Sequence, residues 1–238
     1  NRLDGLVINM PTRAMTGWNW TGEELNWKNA ENQYGAIHFH DDDVHDAGWD
    51  TDFTLIIPKS FKSGLYAARL RCGSSLQEED YVPFAVLPPR GKATAKICFL
   101  LPTASYMAYA NEHMGTDVPV AQLLGGQLVE HERQDLFRNE HREYGASCYD
   151  HHSDGSGVAY SSRLRPILNM RPKYRSWLGG SGSSLWQFNA DTHITNWLEA
   201  MNYEYDVITD EELHYNGLKS IEQYKVIISS SHPEYHSI

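Results

Sequence analysis

From Lys96 to Ser229 the chain alternates short apolar runs with helical patterns, and this alternation restricts the available folds more than any other feature. Lys96 to Leu101, Tyr205 to Ile208 and Lys225 to Ser229 are strand-length apolar runs. Ile194, Trp197, Leu198 and Met201 mark the apolar stripe of a helix before the second run, and Leu218 and Ile221 mark a short helix before the third. Strands separated by helices build βαβ units and a parallel sheet. Right-handed crossovers place the carboxyl ends of such strands on one edge, and open α/β sheets bind ligands outside that edge. The segments to read for chemistry are therefore Pro102 to Asn111, Thr209 to Glu212 and Ser230 to Tyr235.

Residues 1–90 have a different rhythm. Phe53 to Ile57, Leu65 to Cys72 and Tyr81 to Val86 are short runs bounded by Pro58, Gly64, Gly73 and Pro88-Pro89, which predicts a β-sandwich-like region. In the second run Tyr66, Ala68, Leu70 and Cys72 share one face while Arg69 and Arg71 share the other, with Gly73 to Asp80 as the hairpin loop. The texture changes at Pro88-Pro89-Arg90-Gly91, so residues 91–238 are read as an α/β catalytic domain of flavodoxin-like or glutamine-amidotransferase-like architecture. Within it, about 111–182 is polar, Gly-rich and aperiodic, as a functional covering loop would be. The chain begins at Asn1 with no leader-like segment and stops just after a strand end at Ile238. Both ends read as cut, with the sheet and pocket completed by residues beyond Ile238.

Twenty basic against 31 acidic residues give a net charge of -11, which argues against nucleic acid or an anionic membrane as partner and favours a small neutral molecule. The apolar runs are too short to span a bilayer. Cys72, Cys98 and Cys148 show no CxxC spacing, which points to a reducing cytoplasm rather than a disulfide framework or thiolate zinc site. Phenol, carboxylate and imidazole groups crowd the first and third strand-end segments, and these groups bind hard or borderline metal ions or move protons.

Several separated motifs then occur in one order: Pro102-Thr103 with Tyr106 and Tyr109-Ala110-Asn111; Tyr149 to Gly157; Tyr160 to Pro166; Ala190 to His193; and His232-Pro233-Glu234-Tyr235. With Gly35 to Asp43 and Ala47-Gly48-Trp49 upstream, this set resembles the N,N-dimethylformamidase large (beta) subunit family over nearly the whole chain. The resemblance implies hydrolysis of N,N-dimethylformamide to dimethylamine and formate at a mononuclear ferric ion (Fe3+) held by tyrosine and glutamate. Carried over, Glu234 is the glutamate and Tyr149 one tyrosine; the other is Tyr109, with Tyr106 as the alternative three residues earlier in the same motif. His232 would orient the water or the substrate carbonyl and is, with Glu234, the catalytic candidate. The resemblance also implies a small subunit and further copies of the large subunit as partners. The ligand chemistry agrees with such an ion: a phenol with a free pKa near 10 stays deprotonated at neutral pH only beside a highly charged cation. Phenolate and carboxylate donors can balance its charge and leave positions for water and the amide oxygen. A tertiary amide has no N–H to grip, so a small apolar pocket is expected around its methyl groups.

Other readings compete. His38, His40, Asp41, Asp42, Asp43, His45 and Asp46 form the most metal-like cluster by composition, but they lie in the β region and read better as a hydrogen-bonded edge or domain contact. A thiol- or serine-dependent amidotransferase-like hydrolase would use Cys148, Ser156 or Ser181, yet no G-x-S-x-G is complete. Trp18, Trp20, Trp27 and Trp49 would suit a carbohydrate- or protein-binding sandwich. Arg163 and Arg165 read as fastenings of the covering loop.

Overall fold

The computed structural model describes residues 16–34, 43–73, 78–117, 126, 128–153, 155–179 and 183–235. Strands β1 (Gly64–Cys72) and β2 (Glu78–Val86) form an antiparallel hairpin in which Leu65 faces Ala85 and Cys72 faces Glu78. Leu65 and Ala85 both pack against the main core, and the Ser63 hydroxyl accepts a 2.8 Å hydrogen bond from the Val207 amide. The hairpin is thus tied to the parallel sheet at its open end. Leu70 and Cys72, expected on a covered face, are exposed. The expected strand Phe53 to Ile57 is not one: the segment pairs with neither sheet, and Phe53, Leu55, Ile56 and Ile57 are exposed. An apolar run becomes a strand only where another edge satisfies its amides. Among the described residues the β-rich part is therefore a two-stranded sheet rather than a sandwich.

The three apolar runs after Gly91 form the predicted parallel sheet. Strand β3 (Ile97–Leu101) lies between β4 (Tyr205–Thr209) and β5 (Val226–Ser229). Residues Cys98, Phe99, Asp206 and Val207 are fully buried, whereas Val226 and Ile227 on β5 are about half exposed. Asp206 sits near the amino end of β4, where its carboxylate accepts from the Thr94 and Ala95 amides, at 2.7 and 3.2 Å, and from the Tyr224 hydroxyl at 2.9 Å. That satisfied carboxylate clamps the amino edge of the sheet and leaves the opposite edge for chemistry.

On the carboxyl edge, helix α1 (Thr103–Ala108) starts directly after Pro102 and ends at Tyr109. In the covering segment lie α2 (Met114–Asp117) and α3 (Arg133–Glu140), the latter opened by a capping box between Glu132 and Asp135. Helix α4 (Phe188–Ala200) buries Asp191, Thr195 and Leu198 with Ile194 partly covered; Trp197 and Met201 of the expected stripe are more than half exposed. Asp191 can face inward because it is hydrogen-bonded there, which rotates the buried face away from the purely apolar reading. The helix closes with a Schellman motif, Tyr203 N to Leu198 O and Asn202 N to Glu199 O, both 2.9 Å, with Asn202 at φ 57°. Helix α5 (Asp210–Asn216) begins straight after β4, capped by Thr209, and Leu218 is exposed in the short 3-10 turn that follows. The helix thus lies earlier than its apolar residues indicate. Among the described residues no helix is long and apolar enough to cross a membrane.

Candidate metal centre

The segments following β3 and β5 meet across the carboxyl edge because buried polar groups fasten them together. Ser105, fully buried in α1, accepts through its hydroxyl oxygen from the amides of Glu234 and Tyr235, at 3.0 and 3.2 Å. Asp191, also fully buried, accepts from the Ser231 amide at 2.6 Å and from the Tyr106 hydroxyl. Together they fix the backbone of the loop that carries His232 and Glu234. Asn111 sits at φ 62° with no exposed surface and holds the covering segment with its side chain, donating to Pro166 O at 2.8 Å and accepting from the Leu168 amide at 2.8 Å. Asn169 in turn donates to the Tyr109 carbonyl at 2.8 Å. Arg165 is buried in the same seam, where it reaches Ser161 Oγ at 3.1 Å, and Gly145 at φ 90° leaves room for it, since a Cβ there would lie 2.1 Å from the guanidinium.

Tyr149 is brought in by the next residue. Asp150 accepts from the amides of His113 and Ser147, at 2.9 and 2.8 Å, and from the His113 ring at 3.2 Å. The result is a group of oxygens around one carboxylate. The Tyr109 hydroxyl donates to Glu234 Oε2 at 2.7 Å, and His232 Nε2 lies 2.9 Å from the same oxygen. The Tyr109 and Tyr149 rings stack with centroids 4.2 Å apart, and the Tyr149 hydroxyl accepts from Tyr235 at 2.8 Å. Trp186 packs on His232 with centroids 4.7 Å apart and meets Tyr109 edge-on at 6.2 Å. Tyr109 is buried, whereas Glu234 is exposed, so the group opens to solvent through the carboxylate.

The electrostatics follow from this arrangement. The hydrogen bond from Tyr109 keeps the Glu234 carboxyl below its usual range, against a smaller opposing effect of burial. Burial, followed for Tyr149 by its hydrogen bond with Tyr109, holds both phenols well above their ordinary value. Without a cation the resting state is thus a carboxylate receiving the neutral Tyr109 phenol, with the neutral Tyr149 phenol stacked beside it. Tyr106 is placed differently: its hydroxyl points to Asp191, in the core rather than at Glu234.

Residues 12–238 match the protein family described as N,N-dimethylformamidase beta subunit-like, C-terminal. The chain belongs to this family. Among its relatives, the N,N-dimethylformamidase beta subunits of Paracoccus aminophilus and of an Alcaligenes species are 44% and 42% identical to it over 232 residues. Each alignment takes in 97% of this chain and 30% of the relative, so the chain spans less than a third of the length of the curated relatives it matches.

The donor chemistry of the Tyr109, Tyr149 and Glu234 group would suit the ferric ion that the sequence resemblance implies: two phenols and a carboxylate lie side by side, and all three are anions once the phenol protons leave. Among the described residues no three His, Cys, Asp or Glu side chains are grouped for a metal, so phenols are the donors that a metal here would need. Among the described residues the other sequence candidates do not join the group. Of the histidine-aspartate cluster, His38 to Asp42 lie outside the described residues; His45 bonds Tyr160, and Ala47 N donates to Leu164 O at 2.7 Å, a contact with the covering segment. Burial pushes the Cys148 thiol up, the opposite of an activated thiolate. Ser181 lies outside the described residues, and Ser156 sits in the turn that follows His152. A cavity of about 740 Å³ between the hairpin and the sheet, lined by Phe84, Leu101, Tyr106, Met107 and Phe188, does not reach Tyr109, Tyr149 or Glu234. Trp186 and Tyr235 were not legible as site residues: Trp186 has no spacing signal, and Tyr235 is one more phenol in its motif.

Proposed function

We propose that this chain carries the iron-binding part of an enzyme that hydrolyses N,N-dimethylformamide or a similar small amide to an amine and formate. Tyr109, Tyr149 and Glu234 hold the ion, with Tyr109 rather than Tyr106 as the first tyrosine. The observation that carries this reading is the convergence of the Tyr109 hydroxyl on Glu234 at 2.7 Å with Tyr149 stacked on the same ring at 4.2 Å. These three residues would hold a ferric ion, which would supply Lewis acidity toward the amide carbonyl and the attacking water. His232 Nε2, beside Glu234, takes a proton from the attacking water and returns it to the leaving nitrogen, so that the carbon–nitrogen bond breaks as the new carbon–oxygen bond forms. Trp186 supplies an apolar wall for the N-methyl groups and excludes water beside His232. The relatives are named as beta subunits; a small subunit and further copies of the large one complete the enzyme, in the cytoplasm. The β-rich part up to about 90 and the α/β part from 91 to 238 are its two regions, the hairpin of the first packing on the core of the second.

The test is visible absorption and metal analysis of the full-length protein. About one iron per chain, as a mononuclear site requires, with a phenolate-to-iron band lost in Tyr109→Phe, Tyr149→Phe and Glu234→Ala but kept in Tyr106→Phe, is the expected result. A colourless, iron-free protein that still hydrolyses the amide overturns the proposal.

A further inference from the structure

Tyr235 occupies a place that the hydrolytic reading leaves unused. Its hydroxyl lies 2.8 Å from the Tyr149 hydroxyl, and the two rings meet edge-on, 6.3 Å apart at 89°. The position is built rather than incidental: the Tyr235 amide is held by Ser105 Oγ at 3.2 Å, and the ring packs against the core cluster. With its own proton in place, the Tyr149 oxygen already accepts from the Tyr235 hydroxyl. Once a cation displaces the Tyr149 proton, that oxygen is an acceptor only, and the Tyr235 O–H is the donor positioned to meet it.

We infer that Tyr235 is a positioning residue that tunes the metal by hydrogen-bonding the Tyr149 phenolate. The inference rests on the ligand assignment proposed above. A hydrogen bond into a phenolate draws electron density away from the metal, so the ion remains a stronger Lewis acid toward the amide carbonyl. It also stabilises the filled phenolate orbital, which moves the phenolate-to-iron absorption to shorter wavelength. Glu234 and Tyr235 are adjacent in sequence, so one loop supplies both a ligand and the group that adjusts the electron donation of another.

The experiment compares the iron-loaded full-length protein with Tyr235→Phe and with the same protein carrying 3,5-difluorotyrosine at position 235. In Tyr235→Phe the iron content is retained, the band moves to longer wavelength, and kcat falls about tenfold with KM unchanged, the scale typical of partners just outside a metal's ligands. The fluorinated residue keeps the shape and donates more strongly, so its band moves the other way; this arm decides the matter if Tyr235→Phe fails to fold or load. Bands that stay at the wild-type wavelength in both proteins overturn the inference and leave the ligand assignment standing. Loss of iron in Tyr235→Phe with retention in Tyr149→Phe makes Tyr235 the ligand and also overturns it. A wild-type protein without iron or band removes the ligand assignment itself, and this inference with it.

Discussion

Glu112 offers a direct test of the buried charges that support the covering segment. Its carboxylate has 1% relative exposure and faces Arg138 at 3.2 Å, with the Trp177 indole N–H at 3.3 Å. Burial, opposed by Arg138, pushes its carboxyl up from 4.5 to about 7. The folded state therefore binds the proton more tightly than the unfolded chain. Its stabilising contribution is complete below the unfolded value and is lost as pH rises through about 7. At about 1.4 kcal/mol per pKa unit, that interval corresponds to roughly 3 kcal/mol. Urea unfolding of the wild type and Glu112→Gln, followed from about pH 4.5 to about pH 8, isolates this group because every other titration is common to both. The wild-type stability minus that of the variant should fall by about 3 kcal/mol across the window. A difference that is flat with pH would show that Glu112 does not hold a proton in the folded protein and refute the reasoning.

Three further outcomes follow from the same packing. Arg138→Met strips Glu112 and Asp135 of their shared cation, which lies 3.2 Å from each, and should cost about 3–5 kcal/mol in chemical denaturation; a loss under about 1 kcal/mol would mean that the cluster is not held by charge. At the end of α4, Asn202→Val forces a β-branched residue to φ 57° and should cost about 1–2 kcal/mol, whereas Asn202→Gly should be neutral or stabilising; equal thermal midpoints for the two would contradict the Schellman geometry. Ser105→Ala removes the acceptor for the Glu234 and Tyr235 amides and should weaken iron binding about tenfold, read by competition with a chelator; unchanged affinity would separate Ser105 from the site.

The sequence by itself determined the elements whose stabilisation is apolar and periodic. Strands β3, β4 and β5 were legible because burying Phe99, Val207 and their neighbours requires apolar runs of strand length, and parallel connections then place the chemistry at one edge. Helix α3 carried no such signal because the side chains it buries are Asp135 and Arg138, whose stability comes from pairing with Glu112 and Tyr174 across the fold. The inward face of α4 was misread for the same reason, since Asp191 is satisfied by the distant Tyr106 and Ser231. Phe53 to Ile57 looked like a strand because composition records apolarity but not whether a neighbouring edge exists.

Tyr106 and Tyr109 show where the sequence stops. Three residues apart in one motif, they are equivalent as phenols, and pattern alone could not separate them. Tertiary structure decided which hydroxyl meets which carboxylate: Tyr106, within α1, reaches Asp191 of α4, and Tyr109, at the helix end, reaches Glu234 in the loop after β5. A hydrogen bond depends on direction and on a partner 85 or 125 residues away, and these exist only once the strands have brought their carboxyl ends together.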